Sequence, residues 1–232
     1  MKYEISNSGP FPIVKVQLSQ GEEIRIENGA MVYHNGRVRL DGKMNSGGEG
    51  GFGGALKALG RSMVSGESFF ITNAVGLSDG AEIALAPGSV GQIMELNVGE
   101  KQYRLNDKAF LASDNSVGYN MISQGLGKAV FGGTGGLFVM ETKGQGQMLV
   151  NGYGDIIEMN LDGRAPLVVD NYHVVAWEST LSYQIKAASG MVGFTSGEGL
   201  VNEFNGVGKV FIQTRNAYGL YDLIKPFIPT QK

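Results

Sequence analysis

The stretch that decides the fold is Ile24–Leu40, IRIENGAMVYHNGRVRL. It begins with the alternation Ile24-Arg25-Ile26, breaks at the polar turn Glu27-Asn28-Gly29, and resumes with the apolar pair Met31-Val32. Period-two alternation ended by Asn and Gly predicts a strand, a tight turn and a second strand. The pattern returns twice without a gap. Tyr103–Tyr119 (YRLNDKAFLASDNSVGY) lies 79 residues on, and Leu167–Tyr183 (LVVDNYHVVAWESTLSY) a further 64. Their turns are Asn106-Asp107-Lys108 and Asp170-Asn171-Tyr172, and their apolar pairs are Phe110-Leu111 and Val174-Val175.

The flanks repeat too. Upstream, Ile13–Leu18, Ile93–Val98 and Ile156–Leu161 share one parity. That parity predicts Val14, Val16, Met94, Leu96, Ile157 and Met159 inside and Lys15, Glu95 and Glu158 outside. Downstream, Gly135–Val139 and Gly197–Val201 each lead through a Gly-x-Gly turn to another apolar run, Met148–Val150 and Val210–Ile212. The first third offers Gly66–Phe70 and Ile83–Leu85. The expectation is an all-β chain, a single domain over 1–232, with three modules at about 13–92, 93–155 and 156–214. Each module is predicted to hold roughly four strands, and a pseudo-threefold arrangement would bury the three apolar faces together. Helical propensity is confined to short segments near 55–63 and 217–225; the second is expected to cap an open end of the sheets.

Composition narrows the class. Hydrophobic residues are 42% and charged residues 18%, which suits a folded core. Glycine, 37 of 232 residues, falls between short apolar runs, where sheets need turns. The absence of cysteine removes disulfides, zinc-thiolate sites and thiol nucleophiles. No apolar run reaches membrane-spanning length and no signal core follows Met1, so a cytoplasmic location is expected. Nineteen basic residues face 22 acidic ones. Nucleic acid is therefore not an expected partner, because phosphate binding needs several cations on one face.

Catalytic constellations are nearly absent: no nucleophile elbow, phosphate loop or zinc-protease helix occurs, and no cofactor or metal is expected. His34 and His173 read as turn or core histidines. Asp170, His173 and Ser179 lie close in sequence, but strand alternation points Asp170 and His173 to different faces. Glycine-rich 47–54 precedes a possible helix and reads as a loop, since Glu49 opposes an anion. Trp177 reads as packing. The candidate interaction residues are Lys57 and Arg61, four apart on the predicted helix, and Glu67 and Glu198, which share a module position. The first pair could meet an anionic surface and the second a cation, although solvated surface charge explains both.

Several pieces in a fixed order carry a resemblance: Gly29–Val32, Gly66–Phe70, Leu85-Ala86-Pro87, Ala109–Ser113, Val169-Asp170 with His173–Ala176, Gly197–Leu200 and Gln213-Thr214-Arg215. The chain resembles the bacterial family related to the mitochondrial protein "altered inheritance of mitochondria twenty-four". That resemblance implies a fold similar to the tryptophan RNA-binding attenuation protein, with small β-sandwich units fused in one chain. It implies no known enzyme activity and no established ligand. A non-enzymatic interaction or assembly module, self-associating or bound to protein partners, is the leading expectation. A sensor holding a small molecule between modules and a peripheral membrane scaffold are the alternatives.

Overall fold

The structure is a computed structural model that describes residues 1–6, 9–43, 71–106, 108–123, 138–187 and 200–229. After β1 (Lys2–Ile5) the strands fall into three runs of six. The first is β2 (Val14–Leu18), β3 (Glu23–Glu27), β4 (Met31–His34), β5 (Val38–Lys43), β6 (Ile71–Gly76) and β7 (Ala81–Leu85). The second is β8 (Gly91–Val98), β9 (Tyr103–Leu105), β10 (Phe110–Asp114), β11 (Val117–Ser123), β12 (Phe138–Gly144) and β13 (Gly146–Tyr153). The third is β14 (Ile156–Asp162), β15 (Leu167–Asp170), β16 (Val174–Glu178), β17 (Ser182–Ala187), β18 (Leu200–Asn205) and β19 (Val207–Gln213). One helix, α1 (Ala217–Ile224), follows. The chain is thus all-β with a short C-terminal helix, and six strands stand where the sequence predicted roughly four. The helix expected near 55–63 lies outside the described residues.

Each aligned segment becomes strand, turn and two further strands. The turn needs a left-handed residue, which Gly29 (φ 83°) and Lys108 (φ 64°) supply. In the third run the Asp170 side chain accepts from the Tyr172 amide and opens a 3₁₀ turn instead. The strands of one run do not share one sheet. Among the described residues four sheets form: β1-β2-β7-β4, β5-β6-β3-β10-β13-β8, β11-β12-β9-β16-β19-β14 and β15-β18-β17. The order β2-β7-β4 recurs as β8-β13-β10 and β14-β19-β16; β5-β6-β3 recurs as β11-β12-β9 and β17-β18-β15. The two six-stranded sheets each join half of one run to half of the next, through β3–β10 and β9–β16. The strands at the two ends of the row, β4 and β15, stand at the edges of separate sheets and do not pair with each other.

Three buried cores lie along this row. The first gathers Val14, Val16, Ile24 and Ile83 of run one with Leu111 and Leu149 of run two. The second gathers Leu96, Phe110 and Met148 with Val175 and Phe211 of run three. The third gathers Val174, Trp177, Phe204 and Val210 with Val139. The predicted inward set holds for Val14, Val16 and Leu96, and Lys15 and Glu158 are exposed. Met94 and Met159 are half-buried, as is Glu95. Ile157 is a correction: it is 43% exposed. Strand β14 is the outer edge of its sheet, with no strand beyond it among the described residues, whereas β2 is bordered by β1, whose Tyr3 and Ile5 pack onto the first core.

Strand β1 also straps two runs together. The Met1 amino group lies 2.6 Å from Asp114 Oδ1, and the Tyr3 hydroxyl donates to Glu95. Burial, then the Glu95 bond and its charge, push the Tyr3 phenol well above its ordinary value. A pKa raised on folding favours the protonated phenol, so this stabilisation is complete below the ordinary tyrosine value, about 10, and is lost as pH rises above it. Tyr3→Phe should cost about 1 kcal/mol at neutral pH and flatten the loss of stability above pH ~10, both read from urea unfolding across pH.

Trp177 is buried against Tyr183 and Phe204, at centroid distances of 4.9 and 5.4 Å, both edge-on. Its Nε1–H meets no acceptor among the described residues. Trp177→Ala should therefore cost about 3–5 kcal/mol, the usual range for a buried aromatic. Trp177→Phe should cost less than about 1.5 kcal/mol, because it also removes an unsatisfied donor. Circular dichroism during urea unfolding measures both.

Candidate functional site

The chemistry-bearing side chains gather where one run meets the next. At the first junction Arg25, on β3, sits opposite Ser113 of β10 and donates through Nη1 to the Val117 carbonyl. At the second, Arg104, on β9, sits opposite Trp177 of β16 and donates through Nη1 to the Leu181 carbonyl at 3.5 Å. Arg25 and Arg104 are 79 residues apart, Val117 and Leu181 are 64 apart, so the two contacts are one contact made twice. Each arginine also has a tyrosine at hand. The Arg104 guanidinium lies 5.7 Å over the Tyr183 ring, and Arg25 and Tyr119 line the same cleft. Burial raises both phenols, and the neighbouring arginine pulls each back toward its ordinary value.

The junctions differ in charge. Arg104 faces Glu141 across the β9–β12 pair and bonds it at 2.5 Å. Arg25 faces Asn73, whose amide donates instead to Glu23. The first junction opens into a cleft of about 370 Å³ lined by Glu23, Arg25, Asn73, Asn115, Tyr119 and Lys143, among others. Two cations, one carboxylate and two amides give it the character of a site for a small polar anion. Acidic residues also close each junction from the far end. Asp114, at the end of β10, takes the Met1 amine, and the buried Glu178, at the end of β16, takes Lys101 at 2.6 Å.

Of the residues singled out from sequence, only the histidines, Asp170, Ser179 and Trp177 are among the described residues. Lys57, Arg61, Glu67 and Glu198 lie outside the described residues, as does glycine-rich 47–54. His34 Nδ1 accepts from the Gly36 amide in an exposed turn. His173 Nδ1 lies 2.7 Å from the Gln213 carbonyl and its Nε2 2.7 Å from Asn216 Nδ2. Both ring nitrogens are thus engaged, and Asp170 is bonded to the Tyr172 amide, so Asp170, His173 and Ser179 form no relay. Asn216 in turn caps α1, and the Tyr172 ring lies tilted against Tyr218 at a centroid distance of 4.2 Å. The helix is thereby fixed to the turn after β15, yet it buries none of its own residues. Among the described residues no three His, Asp or Glu side chains converge as metal ligands, and no helix is long and apolar enough to cross a membrane. The arginine–tyrosine pairs were within reach of the sequence: Arg25 and Arg104, and Tyr119 and Tyr183, coincide when the three repeated segments are aligned.

Comparison with known proteins places the chain. The sequence model of the family described as "Mitochondrial biogenesis AIM24" matches residues 3–215. An uncharacterized protein of Streptococcus pyogenes serotype M6 is 47% identical over 231 residues, which cover 99% of this chain and 92% of that one. The X-ray crystal structure of a Streptococcus pyogenes protein superposes with a TM-score of 0.82 at 42% identity, covering 98% of this chain and 99% of its own. With nearly its whole length matched, the chain belongs to the AIM24 family.

Proposed function

We propose that the chain is a non-enzymatic assembly module: three copies of one six-stranded sandwich, similar to the unit of the tryptophan RNA-binding attenuation protein, that associates through its unshared half-sheets. One observation carries this reading. Strands that are interior where two runs meet become edges at the two ends of the row, and the first of these edges shows apolar side chains to solvent. Met31, Val32 and Tyr33 of β4 are 38%, 54% and 39% exposed, while their counterparts in β10 and β16 are all at most 4% exposed. An open strand edge with apolar neighbours is a template for further pairing. The exposed apolar face of α1, with Leu220, Leu223 and Ile224, adds contact surface at the other end. Nucleic acid is not a partner in this reading, because acidic residues outnumber basic ones and the junction carboxylates Asp114 and Glu178 recur with the modules. Sedimentation velocity across the micromolar range tests it: the mass should rise above that of one chain with concentration, and a single-chain mass throughout would overturn it.

The cleft at the first junction supports a second reading, a sensor for a small anion. What favours it is the contrast between Arg104, held by Glu141, and Arg25, which faces the neutral Asn73 with Lys143 near the same cleft. A ligand that binds only the folded chain raises its melting temperature. A panel of small carboxylates and phosphates should therefore raise the melting temperature, and Arg25→Ala should abolish the rise. A melting temperature unmoved by every member would remove the reading.

A further inference from the structure

The two junctions inside the chain specify a third. At the first, Ala112, Ser113 and Asp114 of β10 face Ile26, Arg25 and Ile24 of β3. At the second, Ala176, Trp177 and Glu178 of β16 face Leu105, Arg104 and Tyr103 of β9. One step of the alignment turns one set into the other: 112 becomes 176 by adding 64, and 26 becomes 105 by adding 79. Applied at the open ends, the same steps take 112 back to 33 and 105 on to 169. Tyr33 then faces Val169, His34 faces Val168, and Asn35 faces Leu167.

Packing agrees with this register. Every β4-type strand carries a bulge at the same place, between Met31 and Tyr33, Phe110 and Ala112, and Val174 and Ala176. The bulged residue fills the core of the preceding run: Leu111 lies in the first core and Val175 in the second. Val32 is the third bulged residue, and among the described residues no run precedes its own.

The arginine–tyrosine contact gives an independent sign. Counting along the alignment, Val168 stands where Arg25 and Arg104 stand, and Leu40 where Tyr119 and Tyr183 stand. Both halves of the contact are therefore replaced by apolar residues, and both are open to solvent, Val168 at 54% and Leu40 at 36%. Replacing only one half would set a cation against an aliphatic side chain. Replacing both keeps the two ends complementary to each other.

We propose that β15 of one copy of this chain pairs antiparallel with β4 of a second copy in this register. The joined sheet then reads β17-β18-β15-β4-β7-β2-β1, the order of the internal sheet β5-β6-β3-β10-β13-β8 with β1 added. Val32 of the second copy enters the third core of the first, and Val168 of the first packs on Leu40 of the second. The contact is head-to-tail, so it propagates from copy to copy and ends only by closing a ring. This rests on the assembly reading and adds the partner, the strands and the register.

The test uses the full chain, which has no native cysteine. Two double variants are oxidised, His34→Cys with Val168→Cys and Tyr33→Cys with Val169→Cys. Successive antiparallel pairs alternate in hydrogen bonding, so one of the two has its side chains in the closer, non-hydrogen-bonded geometry. A ladder of covalent multimers on non-reducing gels, absent from each single variant, is the expected result. Val32→Glu should weaken association more than about 100-fold, since it would bury a carboxylate at the contact. Its melting temperature as a single chain should be unchanged, because Val32 is exposed there. Association without a covalent ladder from either double variant overturns the register and leaves the assembly reading standing. A link formed within one chain, or covalent dimers from a single variant, overturns the head-to-tail contact. A single-chain mass at every concentration overturns both.

Discussion

The architecture depends on backbone pairing across the borders between runs. A three-stranded half-sheet such as β5-β6-β3 has an open edge, and its amide and carbonyl groups need partners. Pairing β3 with β10 and β9 with β16 supplies them and turns two half-sheets into one continuous sheet each time. The same act covers both faces of the middle sheets. In β8, Ile93 joins the first core and Leu96 the second, so one strand serves two layers. Burying a side chain of that size stabilises by about 1.5–3 kcal/mol, and each junction buries several. The runs are thus held together by hydrophobic packing and a hydrogen-bond ladder that have the same origin.

Polar contacts decorate this frame instead of carrying it. The Lys101–Glu178 pair has one nearly buried and one exposed member, and Lys186–Glu203 and Lys209–Glu158 are more open still. Pairs of that kind contribute little in water. The buried polar groups matter more because they would be costly if left alone. Asn151 donates to the Lys108 and Ala109 carbonyls, and Asn202 donates to Asn171. Thr142 accepts from the Tyr103 amide and donates to Gln102. Each ties a turn to the strand beside it, so the loops keep the shape the junctions need.

Much of the local structure was legible in the sequence. The aligned segments became strand, turn and strand at the expected places, and the tail became α1. Alternation reports which side chains share a face, and it did so for Val14 and Val16. It does not report which sheet a strand joins, so the sharing of sheets between runs was not visible. Nor does it report what lies beyond an edge, and Ile157, on the edge strand β14, is exposed. The junction site was less legible, and Lys57 and Arg61, where charge clusters along the chain, lie outside the described residues. The junction arginines are single residues, far apart in sequence, that become a pattern only when one run is laid on another.

The bulge shared by β4, β10 and β16 gives the junction its precision. In a regular strand neighbouring residues point to opposite faces, yet Leu111 and Ala112 both enter the first core, and Val175 and Ala176 both enter the second. Phe110 and Val174, one place earlier, turn back into their own runs. The extra residue therefore works as a tooth in a ratchet. A strand one residue shorter could still pair along its length, but it would present each core with the wrong side chains. Length at this one point, more than the identity of any side chain, is what the sequence is least free to change.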